Sequence, residues 1–534
     1  MLTIGLYGIK DTTHGRRPTH THDHGVAFLR AGRVVDVVSL ERLTRVKHDN
    51  RLDAHIGSIL RDRVGDEPVR FVSVNSFVGD GFQSADGTLR VEPEGRVEIS
   101  AAPTPARVRW WPDGSRPREA AGWALCHELA HVASLLPFVG RFEPRSLLVH
   151  IDGGASASAC SAWSWDGQHV ELVESSWDRL KEPVENFNVG PIGRLALGLS
   201  SDDHLAMPGQ LMGYAGHGEP DRGLQAWLAE RHFFLGRPDD EVRAALHARF
   251  GADPPYPALV ATLQMDFEER VSRAIAAWQA KTGAQHLYYA GGAALNIPTN
   301  AALEASGRFR SVHVPPCTSD TGLALGAAAW LEFLDRGAVE RHGPFLAQAD
   351  NGPTSLDAVD QIASRLAAGE ILGLCNGPAE VGPRALGHRS IVARPDSVAL
   401  RRRVSEGLKR REPYRPVAPV LLPEVAREAF GPAVAESHLA PFMLGAWALR
   451  PGWAERFAGV VHADGTLRAQ VVGDDPFLVA LLRRLWGRHG VAGLLNTSFN
   501  GPGEPLVHTR ADAIACGRRL PLDGVVIDGS LHRR

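Results

Sequence analysis

The chain has 534 residues, 44% of them hydrophobic and 22% charged, with a formal net charge of -3. That length exceeds what one core serves, so two domains are the minimum and three are open. The balanced charge argues against nucleic acid or an acidic membrane as a partner, so any anionic ligand must be met by local charge.

The five cysteines, Cys126, Cys160, Cys317, Cys375 and Cys516, are scattered without a CxxC pair. This suggests neither a disulfide framework nor a thiolate zinc site, and suits a reducing cytoplasm. The opening MLTIGLYGIKDTTHG has no basic stretch before a long apolar run, and no run of about 18 apolar residues occurs, so neither secretion nor a membrane span is expected.

Residues 1–40 read as short strands, LTIGLYG and then GVAFLRAGRVVDVVSL turned at Ala31-Gly32, which is how a sheet of the actin and sugar-kinase type begins. Between them, THTHDHG sets His20, His22 and His24 in alternation. A strand there would put all three on one face able to ligate a metal, whereas a solvated polar loop is the commoner outcome. In ERLTRVKH, residues 41–48, Glu41 and Arg45 belong to a charge run that by itself reads as a solvated face. Residues 76–118 suggest an arm or lid, with a hairpin about Pro93-Glu94-Gly95 between LRV and RVEI.

AGWALCHELAHVASLLPF, residues 121–138, has helical apolar spacing and places His127 and His131 four apart on one face. Such a pair can hold one ion, although two surface histidines are the default. A zinc-peptidase arrangement with a general-base glutamate at Glu128 is not expected. SLLVHIDGG, residues 146–154, is a buried-type strand ending in Asp152 and two glycines. Strand ends of this kind bind metal and phosphate in α/β folds, and a turn aspartate is the plain alternative.

MPGQLMGYAGHG, residues 207–218, reads as a glycine-rich loop near Gln210 and His217 that lets backbone approach something closely. From Leu263 to Trp278 an amphipathic helix carries Leu263, Phe267, Val271, Ile275 and Trp278 in one core stripe, with Gly283 at its end. HLYYAGGAALN, residues 286–296, repeats the strand-then-glycines design. Its Gly291-Gly292 could admit the flat face of a nucleoside, with Asn296 nearby. Two such turns suggest a duplicated domain with a cleft between the halves. In VPPCTSDTGLALGAAAW, residues 314–330, Asp320 opens an apolar helix; an N-cap is the default and a further metal ligand the alternative.

A linker is expected over residues 336–356, dividing the chain into 1–345 and 346–534. Beyond it, a helix over about 357–368 and the strand EILGLCNG lead into AEVGPRALGHRS, residues 379–390. There two glycines and a proline lie between Arg384 and Arg389, the make-up of a turn that brings amides and guanidinium groups onto phosphate. Lys409, Arg415 and Arg468 recur in short segments bounded by glycine or proline, near His462, Gln470, Asn496, Thr497, Ser498 and Asn500. Converging on one cleft, the basic groups would bind a triphosphate and a second phosphate compound together.

The ordered set HDHG, ERLTRVKH, HELAH, DGG, AGGAALN, SDTG, EVGPRALGHRS, YRPVAP and LNTSFNGPGEP runs from about residue 20 to 525. It resembles the O-carbamoyltransferase family of antibiotic biosynthesis and nodulation-factor modification. The resemblance implies an α/β protein: a duplicated actin-like N-terminal domain, similar to the universal tRNA threonylcarbamoyl-transfer protein, joined to a C-terminal YrdC-like domain. It implies that ATP, carried with Mg2+, and carbamoyl phosphate become carbamoyl adenylate in the second domain. The carbamoyl group then passes in the first domain to an acceptor hydroxyl.

In that family the metal ligands match His127, His131, Asp152 and Asp320, and the ion implied is iron(II), with zinc or manganese allowed by ligand type. His22, next to Asp23, matches the catalytic histidine of an HDASA-like motif and is expected to act as general base. Arg384, Arg389, Lys409, Arg415, His462, Arg468 and Asn496 match positions for ATP and carbamoyl phosphate; Gly153, Gly154, Gly291, Gly292 and Asn296 match the adenylate pocket of the first domain. The sequence departs from the family pattern in three places: HDHG for HDASA, Gln210 for the lysine of PGKLMG, and NGPAE for a GRxE segment. The last loses a phosphate-binding arginine whose role would shift to Arg410 or Arg411. A nucleotide sensor and threonylcarbamoyl transfer to tRNA are the competing readings, and the lack of a basic stripe argues against RNA. A polyketide or glycoside hydroxyl is the expected acceptor, shaped by the arm at 76–118 and the loop at 176–210, and a homodimer stays open.

Overall fold

The structure is a computed structural model that describes residues 1–8, 21–77, 79–111, 116–200, 204–230 and 237–532. Strands β1 (Leu2–Tyr7), β2 (Gly25–Arg30) and β3 (Arg33–Ser39) form an antiparallel meander. Ala31 and Gly32 turn the β2–β3 hairpin with φ of 53° and 82°, the doubly left-handed geometry that matches strand twist. β1 also pairs in parallel with β4 (Val69–Val74), which pairs in parallel with β8 (Ala121–Leu125). Beyond β8 the sheet continues through β7 (Thr104–Trp110), β6 (Leu89–Pro93) and β5 (Phe82–Gln83).

The second half repeats this plan. An antiparallel meander of β9 (Ser146–Ile151), β10 (Cys160–Trp165) and β11 (Val170–Ser176) is joined through β9 to parallel β12 (His286–Ala290) and β13 (Ser311–His313). The orders β3-β2-β1-β4-β8 and β11-β10-β9-β12-β13 are the same arrangement twice, so the N-terminal domain is a duplicated actin and sugar-kinase fold. Helix Leu323–Arg336 lies against β1, where a Cβ on Gly5 would come within 2.0 Å of the Ala324 carbonyl oxygen; only glycine lets the two backbones meet. Helix Tyr256–Thr282 buries the expected stripe, with Trp278 fully covered, and ends at left-handed Gly283.

The C-terminal domain is a seven-stranded mixed sheet. Its spatial order is Gln470–Val471, Ala418–Leu421, Leu494–Ser498, Arg389–Ala393, Leu372–Cys375, Gly524–Ile527 and Ser530–His532. Helices Val359–Ala367 and Pro476–His489 contribute to its core. Among the described residues no helix is long and apolar enough to cross a membrane, and all five cysteines are buried and free.

Four expectations need correction. The arm's hairpin pairs Leu89–Pro93 with Thr104–Trp110 rather than with RVEI, because the Thr104–Trp110 run has the strict in-out alternation that a strand needs. The run 121–138 is not one helix: residues 121–125 are β8, and the helix begins at His127. The glycine-rich stretch at 207–218 contains helix Met207–Ala215; Gly213, Gly216 and Gly218 allow close packing, whereas Gly209 faces open space. The stretch expected as a linker carries strand Phe345–Ala347, which pairs with Ala379–Glu380, and Leu346, Ala347, Ala379 and Val381 pack into the N-terminal core.

Candidate active site

The end of β8 delivers the chain straight into helix His127–Ala133, whose first amide, that of His127, donates to Asn75 Oδ1 at 2.9 Å. His127 and His131, one turn apart, are buried and face the ends of β9 and of the Asp320–Gly322 turn. Their Nε2 atoms lie 3.0 Å apart. Asp320 Oδ1 stands 3.6 Å from the first and 3.4 Å from the second, and Asp152 Oδ2 stands 3.5 Å from His131 Nε2. Asp320 thus groups with both histidines and Asp152 with His131, so His131 joins donors from segments nearly two hundred positions apart.

Each donor is oriented from behind. His131 Nδ1 meets the Thr318 carbonyl oxygen at 3.1 Å, a bond that places the ring proton there and leaves the Nε2 lone pair facing inward. Asp320 makes no helix cap; its Oδ2 accepts the Tyr7 hydroxyl at 2.6 Å. Asp152 Oδ1 accepts the Gly153 amide at 2.6 Å and Oδ2 the Gly292 amide. Burial works against an ionised Asp320, but the imidazoles of His22, His127 and His131 outweigh it and hold that carboxyl well below the usual carboxylate range. Burial and then the Asp320 charge push the Tyr7 phenol well above its ordinary value.

This set fits a resident divalent ion. Donors bound at roughly 2.1 Å to one ion stand roughly 3.0–3.4 Å apart, and mixed imidazole and carboxylate ligation suits borderline ions. HELAH does spell HExxH, so sequence spacing gave no ground for setting a peptidase site aside; the ground is structural. Glu128 points away from the histidines and accepts the Ser156 hydroxyl and the Ala157 and Ser158 amides, the last two at 2.7 and 3.0 Å. It clamps the loop after Asp152 and is not a general base.

His22 lies in a turn, not a strand, so the alternation argument fails; His24 is buried and His20 lies outside the described residues. The solvated-loop expectation also fails at His22, whose ring is only 18% exposed. Asp23 is shared: its Oδ2 is 2.9 Å from His22 Nδ1 and its Oδ1 is 2.9 Å from His48 Nδ1. Asp23 and His48 both hold φ of 56°, a left-handed backbone that non-glycine residues adopt rarely and mostly where surrounding structure enforces it. Burial alone would lower the His22 pKa, yet Asp320, the bond to Asp23 and Asp152 together raise it to about 9. The ERLTRVKH run is not a free solvated face. Glu41 accepts the His48 amide at 3.1 Å, Arg42 donates to the Glu380 and Gly382 carbonyls, and Arg45 to those of Pro505 and Leu506.

The adenylate residues divide. Gly291, at φ 100°, is required because a Cβ would lie 2.1 Å from the Ile151 carbonyl oxygen. The Gly292 amide serves Asp152, and Gly153 makes room for Asn188, whose Nδ2 would be 2.4 Å from a Cβ there. Gly154 alone has only the half-exposed Trp177 nearby. Asn296 is withdrawn from ligand contact: its Oδ1 caps helix Ile297–Ala305 at Thr299, and its amide pairs reciprocally with Gln264 at 2.9 and 3.0 Å.

The cations of the second domain meet no carboxylate at their core. Arg384 donates only to the Leu295 carbonyl at 3.4 Å, Arg468 only to the Met212 carbonyl at 3.4 Å, and the Nε of each has no partner. Burial, with the neighbouring Arg468 charge, pushes Arg384 down to about 10, and burial brings Arg468 to about 10 as well. Lys409 donates to the Ser498 and Asn500 carbonyls at 2.7 and 2.6 Å, and burial holds it well below the lysine range. Asn496 Nδ2 donates to the Ala385 carbonyl at 2.9 Å while its Oδ1 is buried and unpaired. His462 Nε2 meets the Gly213 carbonyl at 3.0 Å, and a Cβ on Gly216 would lie 2.3 Å from its ring. Arg415 is half-buried, 3.8 Å from Glu412.

Arg389 is a correction. All its donors are used inside the domain, on the carbonyls of His508, Asn376, His388 and Gly377 and on Asn351 Oδ1, at 2.8 to 3.1 Å, so none remains for phosphate. Arg411, by contrast, is turned inward onto the Thr497 and Ser498 hydroxyls at 2.8 and 3.0 Å, while Arg410 is exposed. Gln210 donates to Glu412 at 2.9 Å. The two centres share a wall: at Gly382 (φ 91°), in the turn that carries Arg384, a Cβ would lie 2.1 Å from the Pro316 carbonyl oxygen, four residues before Asp320.

Two family models match, Carbamoyltransferase N-terminus over residues 127–329 and Carbamoyltransferase C-terminus over residues 363–534. The chain belongs to the carbamoyltransferase family. It is 28% identical to nodulation protein NolNO of Sinorhizobium fredii over 587 aligned positions, covering 100% of this chain and 83% of the relative. It is 31% identical to the 3'-hydroxymethylcephem-O-carbamoyltransferase of Amycolatopsis lactamdurans over 56% of this chain and 58% of that one. A structure of full-length HypF in the phosphate- and nucleotide-bound form is 11% identical, with a TM-score of 0.33, over 64% of this chain and 56% of that one. As a member of this family the protein is an enzyme of O-carbamoyl transfer. Tyr7 and His48 were not singled out from the sequence: Tyr7 carries no spacing signal, and His48 was hidden in a charge run.

Proposed function

We propose that this carbamoyltransferase uses ATP and carbamoyl phosphate to form carbamoyl adenylate in its C-terminal domain, then carbamoylates a hydroxyl of a small natural product in its N-terminal domain. The observation that carries the reading is the pairing of opposite centres. Half-buried Arg384 and buried Arg468, which hydrogen-bond to carbonyls and to no carboxylate, belong to a domain whose Gly382 turn packs on the segment leading to the buried imidazole and carboxylate set. A nucleoside triphosphate and an acyl phosphate supply the anions that the first centre lacks.

Arg384, Lys409, Arg411, Arg415, Arg468, His462 and Asn496 would hold the phosphate groups of MgATP and carbamoyl phosphate, with Arg411 standing in for the arginine missing from NGPAE. Water first cleaves carbamoyl phosphate to carbamate and inorganic phosphate, and the carbamate oxygen then attacks the α-phosphorus of ATP, forming the mixed anhydride and releasing pyrophosphate. A carbamoyl group is a poor electrophile by resonance, and AMP gives it a good leaving group within an enclosed path. His127, His131, Asp152 and Asp320 would hold a divalent ion, iron(II) in this proposal, whose chemistry is Lewis acidity toward an acyl or phosphoryl oxygen. Asp23 accepts the Nδ1 proton of His22 and fixes its tautomer, so that Nε2 takes the proton of the acceptor hydroxyl as the C–O bond of the carbamate forms. The raised pKa of His22 comes from Asp320, then the bond to and charge of Asp23, then Asp152, so part of it is the share of Asp320 and Asp152. A cation held by those carboxylates offsets them and returns the ring toward the neutral range where it works as a base.

The test is incubation with MgATP, carbamoyl phosphate and a panel of alcohols that includes 3'-hydroxymethylcephems, reading pyrophosphate and carbamate ester by mass spectrometry. Pyrophosphate that depends on carbamoyl phosphate, with an ester on at least one alcohol, is expected. ATP binding without pyrophosphate would replace the proposal with a nucleotide sensor.

A further inference from the structure

His150 is a buried histidine that the proposed chemistry does not use. It lies on β9 two residues before Asp152, and alternation along a strand sends residues i and i+2 to the same face. It is 0% exposed, and neither ring nitrogen has a hydrogen-bond partner. A buried polar atom left unpaired forfeits its bond to water without replacement, so the position calls for an account. The rest of β9 is Ser, Leu, Leu, Val and Ile, and an aliphatic side chain would serve the core at no such cost.

The ring is not buried at random. It stacks on His131 with centroids 5.2 Å apart and planes 23° from parallel, and it lies 6.5 Å from the His127 ring. A nitrogen of His150, one of His131 and an oxygen of Asp152 lie within 4.8 Å of one another. His150 therefore brings an unpaired ring nitrogen beside His131 and Asp152, from the strand that supplies Asp152.

We infer that His150 is a third imidazole donor to the ion held by His127, His131, Asp152 and Asp320. This rests on the metal-holding role proposed above. Its consequence is selectivity: a third nitrogen moves the site toward cobalt, nickel, zinc and ferrous ions and away from manganese and magnesium, which prefer oxygen. It also explains why an unpaired histidine persists in an apolar strand, since ligation satisfies the nitrogen that folding leaves bare.

The probe is Co2+ added to chelator-treated full-length protein, followed by its visible ligand-field absorption and by metal analysis after dialysis. His150→Leu keeps the volume and the core. It is expected to weaken Co2+ binding by about 10- to 100-fold, to change the absorption bands, and to leave Mn2+ binding within about 3-fold. Without metal, the variant should melt no lower than wild type, which shows that the loss is not one of folding. His150→Gln can hydrogen-bond a buried water but is a poor ligand, so it should behave as the leucine variant does. Wild-type protein that binds Co2+ with a His150→Leu variant of equal affinity and spectrum would overturn the inference alone, as would full affinity in His150→Gln. Wild-type protein that binds no divalent ion would overturn the metal site itself.

Discussion

The two centres of this molecule solve opposite electrostatic problems. In the N-terminal domain, carboxylates and imidazoles face one another, each braced by an amide, a carbonyl or a phenol, and burial fails to neutralise Asp320 because imidazoles surround it. In the C-terminal domain, half-buried Arg384 and buried Arg468 hydrogen-bond to carbonyl oxygens and to no carboxylate; desolvation, with the Arg468 charge, brings Arg384 down to about 10, and desolvation brings Arg468 to about 10 against the pull of Asp464. A centre that carries its own counter-charges is stable before a ligand arrives. One that lacks them has stability withheld until an anion comes. The two opposite fields nearly cancel in the whole chain, whose net charge of -3 carries no trace of either.

The largest effect should come from the braced centre. Asp320→Asn keeps the shape but removes the charge that touches His127, His131 and Tyr7. Divalent-ion retention and ester formation should fall by at least about 1,000-fold. Pyrophosphate release should stay within about 2-fold, because that step belongs to the other domain. Loss of both activities together would erase the division of labour between the centres.

A slightly smaller effect separates two arginines of the same motif. Arg389→Met leaves its five acceptors unpaired in the core and should cost about 3–5 kcal/mol of C-terminal domain stability, read by denaturant melting or hydrogen exchange. A variant that melts normally yet fails to bind ATP would restore Arg389 to the phosphate site.

That pair also marks how far the sequence was legible. HELAH, DGG and SDTG named the four grouped side chains, because strand ends and helix starts fix where such residues point. VGPRALGHRS named the turn, but not which of its arginines faces the cleft. That is decided by left-handed Gly382 and Gly387, at φ 91° and 119°, and by what Asn351 and His508 offer from elsewhere. Tyr7 and His150 were invisible because they sit in strands whose spelling is ordinary; only the packing of β1 and β9 reveals what they touch. Met207–Ala215 was read as a loop because its glycines count against a helix, whereas tertiary packing spends Gly213 on the close approach of Pro416 and Tyr414.

Arg384→Met tests the centre that waits for its counter-charge. It removes a half-buried cation bonded to no carboxylate, so unliganded stability should hold or rise, while pyrophosphate release falls about 100-fold. Lower stability together with normal pyrophosphate release would mean that Arg384, like Arg389, belongs to the fold.

The smallest effect lies in titration at His22, where the two halves of the argument meet. The folded-state pKa is raised to about 9, so the ring's contribution to stability is fully present below about pH 6.5 and is lost as pH rises through about 9. Asp23 is held below the carboxylate range, so its share is lost only in acid. In chelator-treated protein, the stability gap between wild type and His22→Asn should therefore narrow between pH 6.5 and 9, by on the order of 1 kcal/mol. Diethyl pyrocarbonate, which labels only a neutral imidazole, should modify the His22 peptide with a midpoint near pH 9. Adding Mn2+ or Co2+ should move that midpoint down, because the same carboxylates that raise it would then face a cation. A midpoint unmoved by metal would mean that His22 answers to Asp23 alone and feels nothing of the centre beside it.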